Sequence, residues 1–129
     1  MPGLVDLVTD HQDPDTERIK KDLIQWTLRL DDAETCNDVA WEFAKLRDGK
    51  ESLELSSCAL SLSPDDPSYH DTRGVGLALL GRREEAVQDF EFFLKNVRGI
   101  ERYARDVPVR QRWIELLRSG KDPFADGIE

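Results

Sequence analysis

The stretch from Asp65 to Asn96, DDPSYHDTRGVGLALLGRREEAVQDFEFFLKN, leaves few folds open. Asp66 reads as a helix N-cap with Pro67 in the first helical position, where its missing N–H costs nothing. Tyr69, Arg73, Leu77 and Leu80 then fall on one side of a first helix. Gly81 supplies a tight turn. From Arg82 onward, Ala86, Val87, Phe90, Phe93 and Leu94 follow the helical period and define a second helix. Gly74 and Gly76 lie inside the first helix, each costing up to about 1 kcal/mol relative to alanine. A helix that carries both is expected where another helix approaches closely. The stretch therefore predicts an antiparallel helical hairpin packed at short range.

One hairpin cannot bury both of its sides, so a second copy is required nearby. It lies 34 residues earlier. Ala40 stands for Gly74, Phe43 for Leu77, Ser52 for Ala86, Leu53 for Val87, Ala59 for Phe93 and Leu60 for Leu94. The spacing runs from Ala33 to Asn96 without insertion or deletion. Leu62-Ser63-Pro64-Asp65-Asp66 then stops one helix and starts the next.

This pattern resembles the tetratricopeptide repeat family. The later unit carries Gly74, Gly81, Ala86 and Phe90 at the family's positions, and departs from them at Phe93 (a small residue is usual) and Arg98 (proline is usual). The earlier unit carries Ala40, Ala59 and Pro64, and departs at Cys36, at Ser56 and at Arg47, with the turn glycine displaced to Gly49. The resemblance implies an all-α fold of antiparallel hairpins stacked as a short right-handed solenoid. One domain is expected: an N-terminal arm over 1–13, a capping helix over 14–30, repeats over 33–66 and 67–98, and a C-terminal capping element over 100–124, open to reading as a degenerate third repeat. The arm, with Leu4, Val5, Leu7 and Val8, is expected to dock on the core or on a neighbouring molecule. The capping helix presents Ile19, Leu23, Trp26 and Leu30 at helical spacing, and solenoids need such covers at their ends. In the last helix, Trp113, Ile114 and Leu117 read as apolar, Arg110, Arg112 and Arg118 as solvent-facing, with Phe124 folding back onto the core. Phe93 predicts a wider gap there, filled by Trp113.

The net charge of −9 argues against nonspecific nucleic-acid binding, which needs clustered positive charge. The charge is uneven. Residues 1–94 hold ten Lys/Arg and twenty-one Asp/Glu, whereas 95–121 hold eight and three. No apolar run reaches the roughly 20 residues that span a bilayer, and no basic flank precedes a long apolar core at the N-terminus. Two cysteines, Cys36 and Cys58, make no disulfide framework and read as small thiols on facing helices, which points to a reducing cytoplasm.

Candidates for chemistry are few. His11 and His70 have no cysteine or second histidine at metal-ligand spacing, Gly74-x-Gly76 lacks the third glycine and the preceding strand of a dinucleotide loop, and Asp65, Asp66 and Asp71 are explained by capping and solvent. No catalytic residue, metal or cofactor is expected. The resemblance instead implies a concave groove that takes a protein or peptide segment, lined by Asn37, Trp41, Ala44 and Lys45 and by Asp71, Val75, Ala78 and Leu79. Trp41 is either a binding hot spot or covered by the N-terminal helix near Leu23 or Trp26. The lysine, arginine and asparagine set that clamps a terminal carboxylate in some members is absent, so a ligand with apolar and basic character fits better. A second surface is the basic collar of Arg98, Arg102, Arg105, Arg110, Arg112 and Arg118. It is either a solvated face or a contact for an acidic partner or another copy. The function expected is an adaptor or assembly subunit without catalysis; the alternative is a self-associating scaffold, and an enzyme subunit is the remote one.

Overall fold

The computed structural model describes residues 14–128, which form six α-helices, one 3-10 turn and no strand. The helices are α1 (Pro14–Leu30), α2 (Ala33–Lys45), α3 (Gly49–Leu62), α4 (Pro67–Leu79), α5 (Arg83–Val97) and, after a 3-10 turn at Glu101–Tyr103, α6 (Asp106–Arg118). The expected docking of the N-terminal arm, and His11 within it, lie outside the described residues. Helices α2 and α3 form one hairpin and α4 and α5 another; α3 packs against α4, α6 against α5, and α1 against both α2 and α3. The chain is an all-helical stack of antiparallel hairpins. No helix among the described residues is long and apolar enough to cross a membrane.

Side chains set the helix starts. Asp32 accepts a hydrogen bond from the Thr35 amide at 3.0 Å and Asp66 from the Ser68 amide at 2.9 Å, which satisfies donors that the first turn leaves free. Three helix ends share one turn. In α2 the Arg47 amide donates to Ala44 and the Asp48 amide to Phe43; in α4 Gly81 and Arg82 donate to Ala78 and Leu77; in α6 Gly120 and Lys121 donate to Leu117 and Leu116. This is the Schellman pattern, whose pivot residue takes a left-handed backbone. Gly81 (φ +79°) and Gly120 (φ +72°) adopt it without strain, while Arg47 holds φ +64°. The turn glycine is therefore not displaced to Gly49: Arg47 itself occupies the slot, and Gly49 is the first residue of α3.

The helical glycines mark two different crossings. A Cβ on Gly74 would stand 2.7 Å from the Phe90 ring, so Gly74 lets α5 lie against α4 within one hairpin. A Cβ on Gly76 would stand 3.2 Å from both the Leu53 amide nitrogen and Ser52 Oγ, in the neighbouring hairpin. Gly49 completes that second crossing, since its Cβ would meet Leu79 Cβ at 2.9 Å and the Gly76 carbonyl at 3.2 Å. One absent methyl group thus sets how closely the hairpin closes, and two set how closely the two repeats stack. Away from the crossings, α4 and α5 are tied by a buried carboxylate. Asp89 accepts from Arg73 through Nε and Nη2, both at 2.8 Å, and lies 2.9 Å from His70 Nδ1. His70 Nε2 reaches the Pro64 carbonyl at 2.7 Å, and its ring lies on Phe92.

Several expected side-chain placements are corrected. Helix α1 buries Thr16, Lys20, Leu23 and Thr27, a stripe that shares only Leu23 with the predicted one; Trp26 and Leu30 are 44% and 46% exposed. The inward stripe is polar because its polar atoms find partners: Lys20 Nζ lies 3.2 Å from Asp48 Oδ2, and Thr27 Oγ1 donates to the Leu23 carbonyl at 2.7 Å. Leu80, placed on the same side as Leu77, is 43% exposed while Leu77 is buried. The room opened by Phe93 is taken not by Trp113 but by Tyr103, edge-on at 5.4 Å, and by the Arg110 guanidinium at 5.8 Å. Trp113 instead lies on Phe90, 5.4 Å between ring centroids. Cys36 and Cys58 are free thiols. Burial, then the hydrogen bond and charge of Cys58, push the Cys36 thiol up to about 12.

Replacing Gly74 by Ala tests the crossing. Helix propensity alone would stabilise by about 1 kcal/mol, but the clash with Phe90 should reverse that sign and cost about 1–3 kcal/mol in urea unfolding. Adding Phe90→Leu should cost less in the Gly74→Ala chain than in the parent. A stabilised single variant would contradict the close approach.

Candidate peptide-binding groove

Helices α2 and α4 turn the sides bearing Trp41, Ala44, Val75, Ala78 and Leu79 toward one apolar cluster, which is completed by α6 and by the tail that follows it. Ala44 and Val75 are fully buried, and Trp41, Ala78 and Leu79 are half-buried against the same cluster. Asn37 is half-buried at the α2 end, where its Oδ1 is shielded and makes no hydrogen bond; Lys45 is exposed. Trp41 thus packs on the α4–α6 side, not beneath α1 near Leu23 or Trp26.

The expected open groove is closed at its far end. After the α6 turn the chain runs back, burying Pro123, Phe124 and Ile128 while Ala125, Asp126 and Gly127 stay exposed. Asp122 Oδ1 accepts from the Phe124 amide at 2.9 Å, and the Phe124 carbonyl accepts from the Gly127 amide at 3.0 Å, so the tail folds through two short turns. Arg47 Nη2 donates to that same Phe124 carbonyl at 2.7 Å, and the Phe124 ring meets Trp113 edge-on at 5.0 Å. Val75 and Ala44 lie fully buried in the cluster that Phe124 and Ile128 join.

Asp71 and Arg110 also depart from expectation. Rather than facing a ligand and solvent, they form a bidentate pair across α4 and α6, Nε to Oδ1 at 2.9 Å and Nη2 to Oδ2 at 2.7 Å. Each is 6% exposed. The Arg110 guanidinium stacks 4.3 Å over Trp113. Burial pushes the Asp71 carboxyl up, opposed by the hydrogen bonds and charge of Arg110. The collar is thereby reduced. Arg118 pairs with Glu91 at 2.7 Å and Arg102 lies over Tyr103, which leaves Arg98, Arg105 and Arg112 as exposed arginines at the α5–α6 corner.

The groove carries a charge gradient along α2. Near its start, burial and then the charges of Asp66, Glu34, Asp32 and Asp38 push the Tyr69 hydroxyl up, and the Asp38 carboxyl is raised by burial and by Asp32 and Glu42. Near its end, Lys45 and Arg47 flank a cavity of about 300 Å³ shared with Asp126, Gly127 and Ile128. The expected preference for a basic ligand suits only the first half. Arg47, the tail anchors and Asp89 were not among the sequence candidates. Two left a signal there: Phe124, read as folding back onto the core, and Arg47, an arginine in a slot where the repeat wants glycine.

Fold and groove define a tetratricopeptide-like helical repeat. Over 72 residues the chain is 46% identical to the TPR repeat-containing thioredoxin TTL4 of Arabidopsis thaliana, a match that covers 55% of this chain and 10% of that protein. The matched part is thus about a tenth of the relative's length. No family model and no solved structure matches the chain.

The buried pair makes a sharp prediction. Removing one partner, as Asp71→Ala or Arg110→Ala, should cost about 3–5 kcal/mol because the other charge stays buried. Asp71→Leu with Arg110→Met together should cost far less than the sum of the singles. Additive losses in a double-mutant cycle by urea unfolding would show that the pair is not coupled.

Proposed function

We propose that this chain is a non-catalytic protein-interaction module whose α2–α4–α6 groove receives a segment of a partner protein. One observation carries the reading: the groove already holds an irregular stretch of polypeptide by apolar anchors and one carbonyl hydrogen bond, as a peptide-binding surface does. Asn37 Oδ1, shielded and without a partner, offers an acceptor to a ligand N–H. An unmet acceptor of that kind gains when a ligand supplies the donor. Trp41 adds a half-buried ring of the type that dominates interface energetics. Among the described residues, His70 and Asp89 are engaged in the α4–α5 tie and Asp71 is paired with Arg110. The repeat-bearing relative supports a protein partner in general terms. Nucleic acid fits poorly with the acidic body, and a cytoplasmic setting fits the free thiols. Self-association through the exposed Arg98, Arg105 and Arg112 corner and the acidic face of another copy is the second reading. A strictly monomeric species at low and high salt removes it.

Affinity capture from the chain's own cell extract tests the groove. The wild type should retain a protein that Trp41→Ala weakens by about 2 kcal/mol or more, roughly thirtyfold in Kd. Unchanged capture by Trp41→Ala and by Lys45→Glu, each with a wild-type unfolding curve, would reject it.

A further inference from the structure

We infer that residues 121–128 are a displaceable occupant of the basic end of the groove, and that this end takes from a partner a segment of the same chemistry: an acidic Asx-turn followed by an aromatic anchor and an aliphatic residue four positions on. The inference rests on the groove reading above and names its ligand.

Four observations converge. The tail touches the body as a ligand would, since Pro123, Phe124 and Ile128 are buried and the intervening Ala125, Asp126 and Gly127 are exposed. A surface hollow of about 560 Å³, open to solvent, lies between Val109, Arg112 and Trp113 on one side and Pro123 and Asp126 on the other, while the Phe124 ring bridges to Trp113. Charge is complementary across the smaller hollow, where Asp126 shares the lining with Arg47 and with Lys45, which pairs with Glu42 at 3.0 Å.

Arg47 is the fourth observation. It holds φ +64° where the equivalent turns of α4 and α6 use glycine. A non-glycine residue in that region costs about 1–2 kcal/mol. Its side chain holds the Phe124 carbonyl at 2.7 Å, a bond glycine could not make. The strained turn thus presents a donor to whatever backbone lies in the groove. The position of the tail explains its presence there. α6 takes the place of a third first helix and ends in the same turn, but the chain then folds back instead of forming a second helix.

The probe is a fluorescent peptide copying residues 121–128, Lys-Asp-Pro-Phe-Ala-Asp-Gly-Ile, titrated by anisotropy against the full chain and against its Phe124→Ala, Ile128→Ser variant. A tethered tail competes at an effective concentration near the millimolar range. The variant should therefore bind the peptide at least about tenfold tighter than the wild type, and a peptide with Phe replaced by Ala should not bind. Absence of binding to both chains, or equal binding, overturns the inference. So does a wild-type dimer in sedimentation that is lost in the variant, which would assign the groove to a second copy. Should the variant lose its helical circular dichroism, hydrogen exchange of the wild type decides. The Phe124 and Gly127 amides should exchange at least about tenfold faster than the Phe90 amide, as for a segment that opens on its own; equal rates make the tail part of the core and overturn it. Failed peptide binding with Trp41-dependent capture intact removes the ligand chemistry alone. Loss of both removes the groove reading too.

Discussion

Everything in this molecule hangs on how closely α4 can be approached from two sides. Phe90 of α5 fills the space that a side chain at Gly74 would take, and the start of α3 fills the space at Gly76. The first contact closes a hairpin; the second stacks one hairpin on the next. Helix packing normally sets axes about 8–10 Å apart according to the side chains between them, and three glycines bring these backbones together. The propensity cost of two glycines within α4 is offset by burial of the aromatic ring and by tight stacking of neighbouring helices. With the stacking fixed, the faces of α2 and α4 must point to one side, and the groove follows.

The same stacking leaves an unfinished end. A third first helix, α6, docks on α5 through Trp113 and Phe90 and is locked to α4 by the Asp71–Arg110 pair. Among the described residues, no second helix follows α6 to cover it. Phe124 and Ile128 supply part of the missing cover from the inside of the groove. A buried ion pair adds little net stability against apolar residues of equal size, but it penalises any docking of α6 that separates the charges. Asp71 and Arg110 thus select the placement of α6, and through it the path of the tail. Fold and proposed binding surface share one set of contacts.

Much of this was legible in the sequence because it is periodic. The 34-residue echo places both hairpins, and Asp32, Asp66, Pro67 and Gly81 mark ends through local backbone chemistry that needs no tertiary knowledge. What escaped is non-periodic or non-local. The buried stripe of α1 was misassigned because Thr16, Lys20 and Thr27 look polar until their partners are seen. Arg110 reads as a surface arginine, since nothing near it in the chain reveals a carboxylate 39 residues away. Gly76 implies a close neighbour, but only the structure shows that the neighbour is the start of α3. Trp41, Ala44, Val75, Ala78 and Leu79 share one cluster, and the return of Phe124 to the core was legible, but the turns at Asp122 and Gly127 that shape the tail were not.

The account stands or falls on a groove occupied by its own chain when no partner is present. Solution NMR of the free full-length chain measures this directly, through nuclear Overhauser contacts between the aromatic protons of Trp113 and Phe124, whose ring centroids lie 5.0 Å apart. The account predicts clear cross-peaks between the two rings, with the Arg47 side chain close to residue 124. Random-coil shifts over residues 121–128 without those cross-peaks would contradict it.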